Sequence, residues 1–299
     1  MPLLDRAIVR LLPAVPKPLV RRLSSRYIAG PSIDDAIRVV ERLNAKGKLA
    51  TVDVLGEEIT TADEARSIVR QYHDVLARID EGDLDANVSV KLTGFGLELD
   101  EELCREHLEA VVSDAAARGN FVRIDMEDSS TTDRTLALYR GLRAGGDSNT
   151  GVVLQAYLHR TIDDLDGLDN VRLCKGIYVE PPEIAYRDFD EVRASYVHCL
   201  ERLVAQGSYV GIATHDEQLI REALRVIRDA DLAPDRYEFQ MLLGVRPDRA
   251  DELVADGHRL RVYVPYGQQW YEYSLRRLQE NPKIAGYVAA DTLGRLFGR

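Results

Sequence analysis

The chain has 299 residues, 30% charged and 45% hydrophobic, enough to bury a sizeable core in one large domain or two small ones. Its formal charge of −11 argues against nucleic acid as a main partner, because the phosphate backbone selects a basic face. No run of 18 apolar residues supplies a membrane-spanning helix, and Cys104, Cys174 and Cys199, without a CxxC pair, give neither a disulfide framework nor structural zinc.

The first 30 residues stand apart. Arg6, Arg10, Lys17, Arg21, Arg22 and Arg26 oppose Asp5 alone, and Pro13, Pro16 and Pro18 interrupt the apolar runs. Those runs are too short and too charged for a secretory signal. The stretch reads as a basic N-terminal arm, either a helical extension packed on the body or a segment lying on an anionic membrane. Residues 31–299 are expected to form a single catalytic domain.

From residue 31 a strand–helix rhythm begins. Ser32 with Asp35, and Thr61 with Glu64, have the spacing of helix N-caps with a reciprocating acid. Between them LATVDVLGE is too short for a helix and rich in β-branched residues, so it predicts a buried strand. Strands are expected at Leu49–Leu55, Asn87–Leu92, Phe121–Met126, Gly151–Ala156, Val171–Gly176, Tyr209–Ala213, Tyr237–Gln240 and Arg261–Val264. Amphipathic helices are expected between them, among them Ala62–Ile79, Glu101–Ala117, Val192–Ala205 and Glu217–Arg228. Eight alternating units predict an α/β fold, a (β/α)8 TIM-type barrel. An open doubly wound sheet is disfavoured, since no GxGxxG or GxxxxGK[ST] occurs.

In such a barrel the chemistry lies at the strand C-termini. Lys91 falls on the second strand and Asp125 to Asp128 end the third. Gln155 ends the fourth; Arg172 and Lys175 mark the fifth, and Thr214, His215 and Asp216 the sixth. Glu238 and Gln240 lie on the seventh and Tyr263 on the eighth, before a helix starting near Trp270 that carries Arg276 and Arg277. Charged groups in apolar strands must be paired or face a polar cavity. Either a structural ion pair fills the barrel mouth or a site lies there, and so many polar strand ends favour a site.

The six dispersed histidines lack HxH and HExxH, so no catalytic metal is expected. No GxSxG elbow is present. Asp125 and Glu238 could form the carboxylate pair of a barrel hydrolase. A non-catalytic barrel that binds an amino acid or a phosphate ligand is a second alternative. The cations Lys91, Arg172, Lys175, Arg276 and Arg277 favour an anionic ligand. Arg276 could equally pair with Glu280 on a helix surface.

The stretches SVKLT (89–93), RIDMED (123–128), VVLQAYLHRT (152–161), RLCKGIYVEPPE (172–183), GIATHD (211–216), YEFQMLLGVRP (237–247) and RVYVPYGQQWYEYSLRRLQEN (261–281) resemble, in order, the proline dehydrogenase family. The last is the most specific. The likeness spans roughly 30–285 and is to the monofunctional bacterial-type enzyme, with no aldehyde dehydrogenase region following. It implies a distorted (β/α)8 barrel holding FAD, oxidation of L-proline to Δ1-pyrroline-5-carboxylate, and electrons passed to a membrane quinone.

The resemblance also assigns residues. Lys91, Arg276 and Arg277 would hold the proline carboxylate, and Tyr263 would pack on the ring and disfavour hydroxyproline. Asp125 matches the family's active-site aspartate. Arg172 would meet the flavin near N5, with a cation's capacity to stabilise its anionic reduced form. Met126, Gln155, Cys174, Lys175, Gly176, Thr214, His215 and Glu280 would complete the cofactor site. Position 174 and the GFG after Thr93 depart from the usual pattern without removing a catalytic group. Cys174 could make the flavin site oxidation-sensitive if exposed. A cytoplasmic protein is expected, peripheral at the inner face of the cell membrane through its basic arm.

Overall fold

The structure, a computed structural model, describes residues 26–56 and 59–271. Eight parallel strands close into a barrel in sequence order: β1 Leu49–Val54, β2 Ala86–Val90, β3 Val122–Ile124, β4 Thr150–Gln155, β5 Asn170–Cys174, β6 Tyr209–Ala213, β7 Tyr237–Leu242 and β8 Leu260–Tyr266. Closure is made by β8 on β1, with Leu49 opposite Arg261 and Thr51 opposite Tyr263. All eight sequence-derived strands are present. Lys91 and Asp125 each lie one residue beyond their strands rather than inside them.

The helices are α1 Ile33–Asn44, α2 Ala62–Glu81, α3 Glu101–Ala117, α4 Thr132–Gly145, the single turn α5 Thr161–Asp164, α6 Phe189–Ala205, α7 Glu217–Asp229 and α8 Pro247–Ala255. The two predicted capping boxes form. Ser32 and Asp35 satisfy each other's backbone at the start of α1, as Thr61 and Glu64 do at α2. Hydrogen bonds, chiefly from the Ser32 side chain, hold the Asp35 carboxyl below its usual range. Loss of such a cap costs about 1 kcal/mol.

Along the strands, alternate residues part company. Val52, Val88, Val90, Ile124, Val152 and Leu173 are fully buried and belong to the apolar core cluster with the helices. Each such side chain contributes about 1.5–3 kcal/mol relative to exposure. The residues between them, among them Asp53, Ser89, Arg123, Arg172, Glu238 and Arg261, are polar and buried. They bond to one another across strands, so this barrel has a polar interior inside an apolar jacket.

A regular barrel ends with a helix that fills the groove between β8 and β1. Here α1, which precedes β1, packs against both of those strands and takes that place. The chain reaches it across the strand C-terminal end. The Gly244 backbone, at φ +73°, lies so close to the Arg26 carbonyl that a Cβ at 244 would come within 1.9 Å of it. Ala29 N–H donates to Pro265 O at 2.9 Å, and Gly267 N–H donates to Gly30 O at 3.0 Å. Trp270, where helical backbone resumes after β8, packs with Ile28 and Leu55 at this same end. Gly267 and Trp270, which follow β8, thus lie at the barrel mouth.

Candidate active site

Six strands, β1, β2, β3, β5, β7 and β8, supply the centre of the site. Asp125, just past β3 and 8% exposed, accepts from Ser89 Oγ at 2.6 Å and Arg172 Nη1 at 2.6 Å through Oδ1. Its Oδ2 accepts from the Tyr263 hydroxyl at 2.8 Å. Lys91 donates to Tyr263 Oη at 3.2 Å and to Asp53 Oδ1 at 2.8 Å. Arg172 also donates through Nη1 to Ser89 Oγ at 3.1 Å and through Nε to Gln240 Oε1 at 2.5 Å. The Tyr263 ring lies 5.4 Å from the Arg172 guanidinium and 5.9 Å from the Lys91 ammonium, so it faces two cations.

This arrangement is rigid for a physical reason. Asp53 has no exposed surface and Arg172 is 6% exposed, so each depends on a partner for its charge. Tyr72, from α2, donates to the Ser89 carbonyl at 2.7 Å and accepts from Val54 N–H at 3.2 Å. Burial and the nearby Asp53 carboxylate push its phenol well above the usual value, so it stays protonated and serves as a brace.

The remaining cofactor candidates line the ends of β3 to β6. Met126 is buried beside Asp125. The Gln155 amide donates to Glu127 O at 2.8 Å, and the Glu127 carboxylate accepts from Thr93 N–H at 3.0 Å. Lys175 reaches Asp216 at 3.4 Å, a loose pair whose lysine side chain is about one-third exposed. Thr214 Oγ1 accepts from Asp216 N–H at 3.1 Å, and His215 Nε2 accepts from Leu242 N–H at 2.9 Å. Gly176 sits at φ +105° against Tyr157, and a Cβ there would come within 2.1 Å of the Tyr157 ring. Burial raises the Cys174 thiol to about 11 despite the neighbouring Arg172. Cys174 is partly exposed, and the raised value keeps it a thiol rather than a reactive thiolate near neutral pH.

One open possibility from the sequence closes here. Glu238 is 2% exposed and accepts from Arg261 Nε at 2.7 Å and Gln240 Nε2 at 2.6 Å. Sealed in the barrel interior, it cannot face Asp125 across a cleft as a hydrolase pair requires. Arg276, Arg277 and Glu280 lie outside the described residues. Among the described residues no group of three or more His, Cys, Asp or Glu side chains could hold a metal ion. Asp53 and Ser89 were not singled out in the sequence. An aspartate at the centre of the β-branched run TVDV was the available signal.

A (β/α)8 barrel with a buried, charge-paired network at its strand C-termini is the build of a barrel enzyme. The proline dehydrogenase family model matches residues 36–290, and the chain belongs to that family. It is 38% identical over 267 residues to proline dehydrogenase 1 of Bacillus subtilis subsp. natto, covering 88% of each chain. It is 35% identical over 279 residues to the proline dehydrogenase of Deinococcus radiodurans, covering 91% of this chain and 90% of that one. Among solved structures, proline utilization A from Bdellovibrio bacteriovorus, inactivated by N-propargylglycine, superposes with a TM-score of 0.83. At 23% identity that likeness concerns the fold, and it covers 92% of this chain and 36% of that longer one.

Proposed function

We propose that the protein oxidises L-proline to Δ1-pyrroline-5-carboxylate, the first step of proline catabolism, using FAD and passing the electrons to a membrane quinone. The carrying observation is the Asp125 carboxylate bound at once to Arg172 and Tyr263 at the strand C-termini of a chain of this family. The reaction removes a hydride from C5 and a proton from the ring nitrogen, and leaves a C=N bond.

The residues at hand suit FAD in their chemistry. Lys175 is only loosely paired and can turn to a phosphate, and the buried Tyr157 hydroxyl has no hydrogen-bond partner among the described residues. Met126, Gln155, Arg172, Cys174, Lys175, Gly176, Thr214 and His215, with Glu280, would hold the cofactor. When bound, FAD supplies the hydride acceptor.

The chain's own groups do the positioning. Lys91, with Arg276 and Arg277, holds the substrate carboxylate, which restricts the ring to one orientation. Tyr263, fixed by Asp125 and Lys91, would form the wall against the ring and disfavour a hydroxyl substituent. Asp125 keeps Arg172 and Tyr263 in register, and Arg172 keeps a cation beside the reacting centre.

A quinone acceptor places the barrel mouth near a membrane. No helix among the described residues is long and apolar enough to cross one, and we take the contact to be peripheral on the strength of the basic arm. Arg26, in the basic segment of residues 1–30, lies at the mouth. The exposed large apolar side chains among the described residues, Leu99, Ile177, Val179, Ile184 and Phe189, all follow β2 or β5 at the same end. We place the protein in the cytoplasm, with the arm docking on the anionic inner face of the cell membrane. Equal vesicle sedimentation by wild type and Arg-to-Glu arm variants, at low and high salt, would refute that placement.

Activity is tested by dye reduction with L-proline and by the mass of the product. The reading requires a product two hydrogens lighter than proline. Reduction by another amine or amino acid, but not by L-proline, would overturn the substrate assignment.

A further inference from the structure

We infer that Gln240 is the positioning residue for Arg172: an uncharged acceptor that fixes the guanidinium plane without adding negative charge beside it. The inference rests on the reading that Arg172 meets the flavin.

The guanidinium of Arg172 is held at two edges. One nitrogen, Nη1, reaches Asp125 Oδ1 at 2.6 Å and Ser89 Oγ at 3.1 Å. The other anchor is Nε, 2.5 Å from Gln240 Oε1. Two anchors at different nitrogens define a plane, whereas Asp125 alone would leave rotation about one contact. Gln240 is 6% exposed and is itself oriented, because its Nε2 donates to Glu238 Oε1 at 2.6 Å. That bond decides which end of the amide faces Arg172. Glu238 is in turn held by Arg261 Nε at 2.7 Å, and Arg261 Nη1 is tied to the Ala50 carbonyl at 2.6 Å. The chain of contacts thus runs from the β1 backbone to the guanidinium edge.

Space for this arrangement is made on β6. Gly211 lies opposite both Arg172 and Glu238 in the barrel register. A Cβ at Gly211 would come within 2.6 Å of Gln240 Nε2 and within 3.5 Å of the Arg172 backbone. A side chain there would force the amide out of line. Charge explains why an amide stands at 240. Arg172 already has one carboxylate partner in Asp125. A second carboxylate would leave the group with a net negative charge in a low-dielectric interior, where its field on a bound ligand is strongest.

The test uses the flavin-loaded enzyme and reads the midpoint potential of the bound cofactor, the melting temperature, and the KM and kcat for L-proline. Gln240→Glu keeps the acceptor but adds charge. Its potential is expected to fall by the equivalent of about tenfold in the two-electron equilibrium, about 30 mV. The fall should grow with pH, since the new carboxylate lies beside Glu238 and the pair shares a proton at low pH. Gln240→Met removes the anchor and should lower kcat about tenfold with KM little changed. In an Arg172→Met background it should move the potential no further.

A Gln240→Glu enzyme with wild-type potential across the pH range would overturn the inference. So would a Gln240→Met shift of equal size with and without Arg172. A lowered melting temperature with unchanged potential and kcat would show a packing role only, and would also overturn it. A protein that takes up no flavin, even with FAD added, would refute the functional reading itself and this inference with it.

Discussion

Replacing Asp125 by alanine removes three hydrogen bonds at once, from Ser89, Arg172 and Tyr263. Arg172 is 6% exposed and would lose its carboxylate partner without gaining water. Stranding one member of a buried pair costs about 3–5 kcal/mol. In a large domain each kcal/mol moves the melting temperature by roughly 2–4 °C. The flavin-free variant should therefore melt roughly 6–20 °C below wild type. The functional loss has a separate origin. Tyr263 loses its acceptor while Lys91 and Arg172 remain against its ring, so the wall of the pocket is no longer fixed. The rate of anaerobic flavin reduction by L-proline, divided by flavin bound per chain, should fall further than flavin content does. Asp125→Asn, which retains an acceptor for Tyr263 but not the charge, should fall between. Rapid-mixing absorbance and thermal unfolding measure both effects. Wild-type turnover and melting temperature in Asp125→Ala would refute the reasoning.

Arg276→Met and Arg277→Met should each raise the KM for L-proline about ten- to a hundredfold, since each removes a charge-assisted contact worth about 1.5–3 kcal/mol; steady-state kinetics at saturating acceptor measure this. Burial raises the thiols of Cys104, Cys174 and Cys199 to about 12, 11 and 11. Alkylation of the folded protein at pH 8, followed by peptide mass mapping, should leave the buried Cys104 and Cys199 unmodified and label the partly exposed Cys174 only slowly; rapid labelling of Cys174 would contradict its raised value. Burial disfavours the charged form of Glu238, yet Arg261, Gln240 and Tyr209 hold its carboxyl below the usual range. A depressed folded-state value gives stability that is complete above the unfolded value, about 4.3, and is lost as pH falls below it. Glu238→Gln should therefore lower the urea midpoint at pH 7 and reduce its further fall between pH 5 and pH 3.

What could be read from the sequence follows the range of the interactions involved. The eight strands and the boxes at Ser32 and Thr61 rest on periods and spacings of a few residues, and all of them form. The assembly of the site is a different matter. Lys91 meets Tyr263 across 172 positions, Asp125 meets Tyr263 across 138, and Arg172 meets Gln240 across 68. Only barrel closure brings these together. The family resemblance named Lys91, Asp125, Arg172 and Tyr263, but the buried groups that hold them escaped notice. Asp53 lies unmarked inside the apolar run LATVDVLGE, and Ser89 belongs to no motif with chemistry of its own. Glu238 and Gln240 read as separate polar strand ends, although a period of two puts both on the inner face. Nor could local pattern show that α1 takes the groove between β8 and β1, because that exchange depends on where the two ends of the barrel meet.

The most direct measurement is the absorbance spectrum of the purified protein before and after L-proline is added without oxygen. The expected result is a flavin spectrum that bleaches with L-proline and returns with a quinone. A flavin spectrum untouched by L-proline would contradict the substrate, and a protein that stays colourless with FAD supplied would contradict the reading of the site.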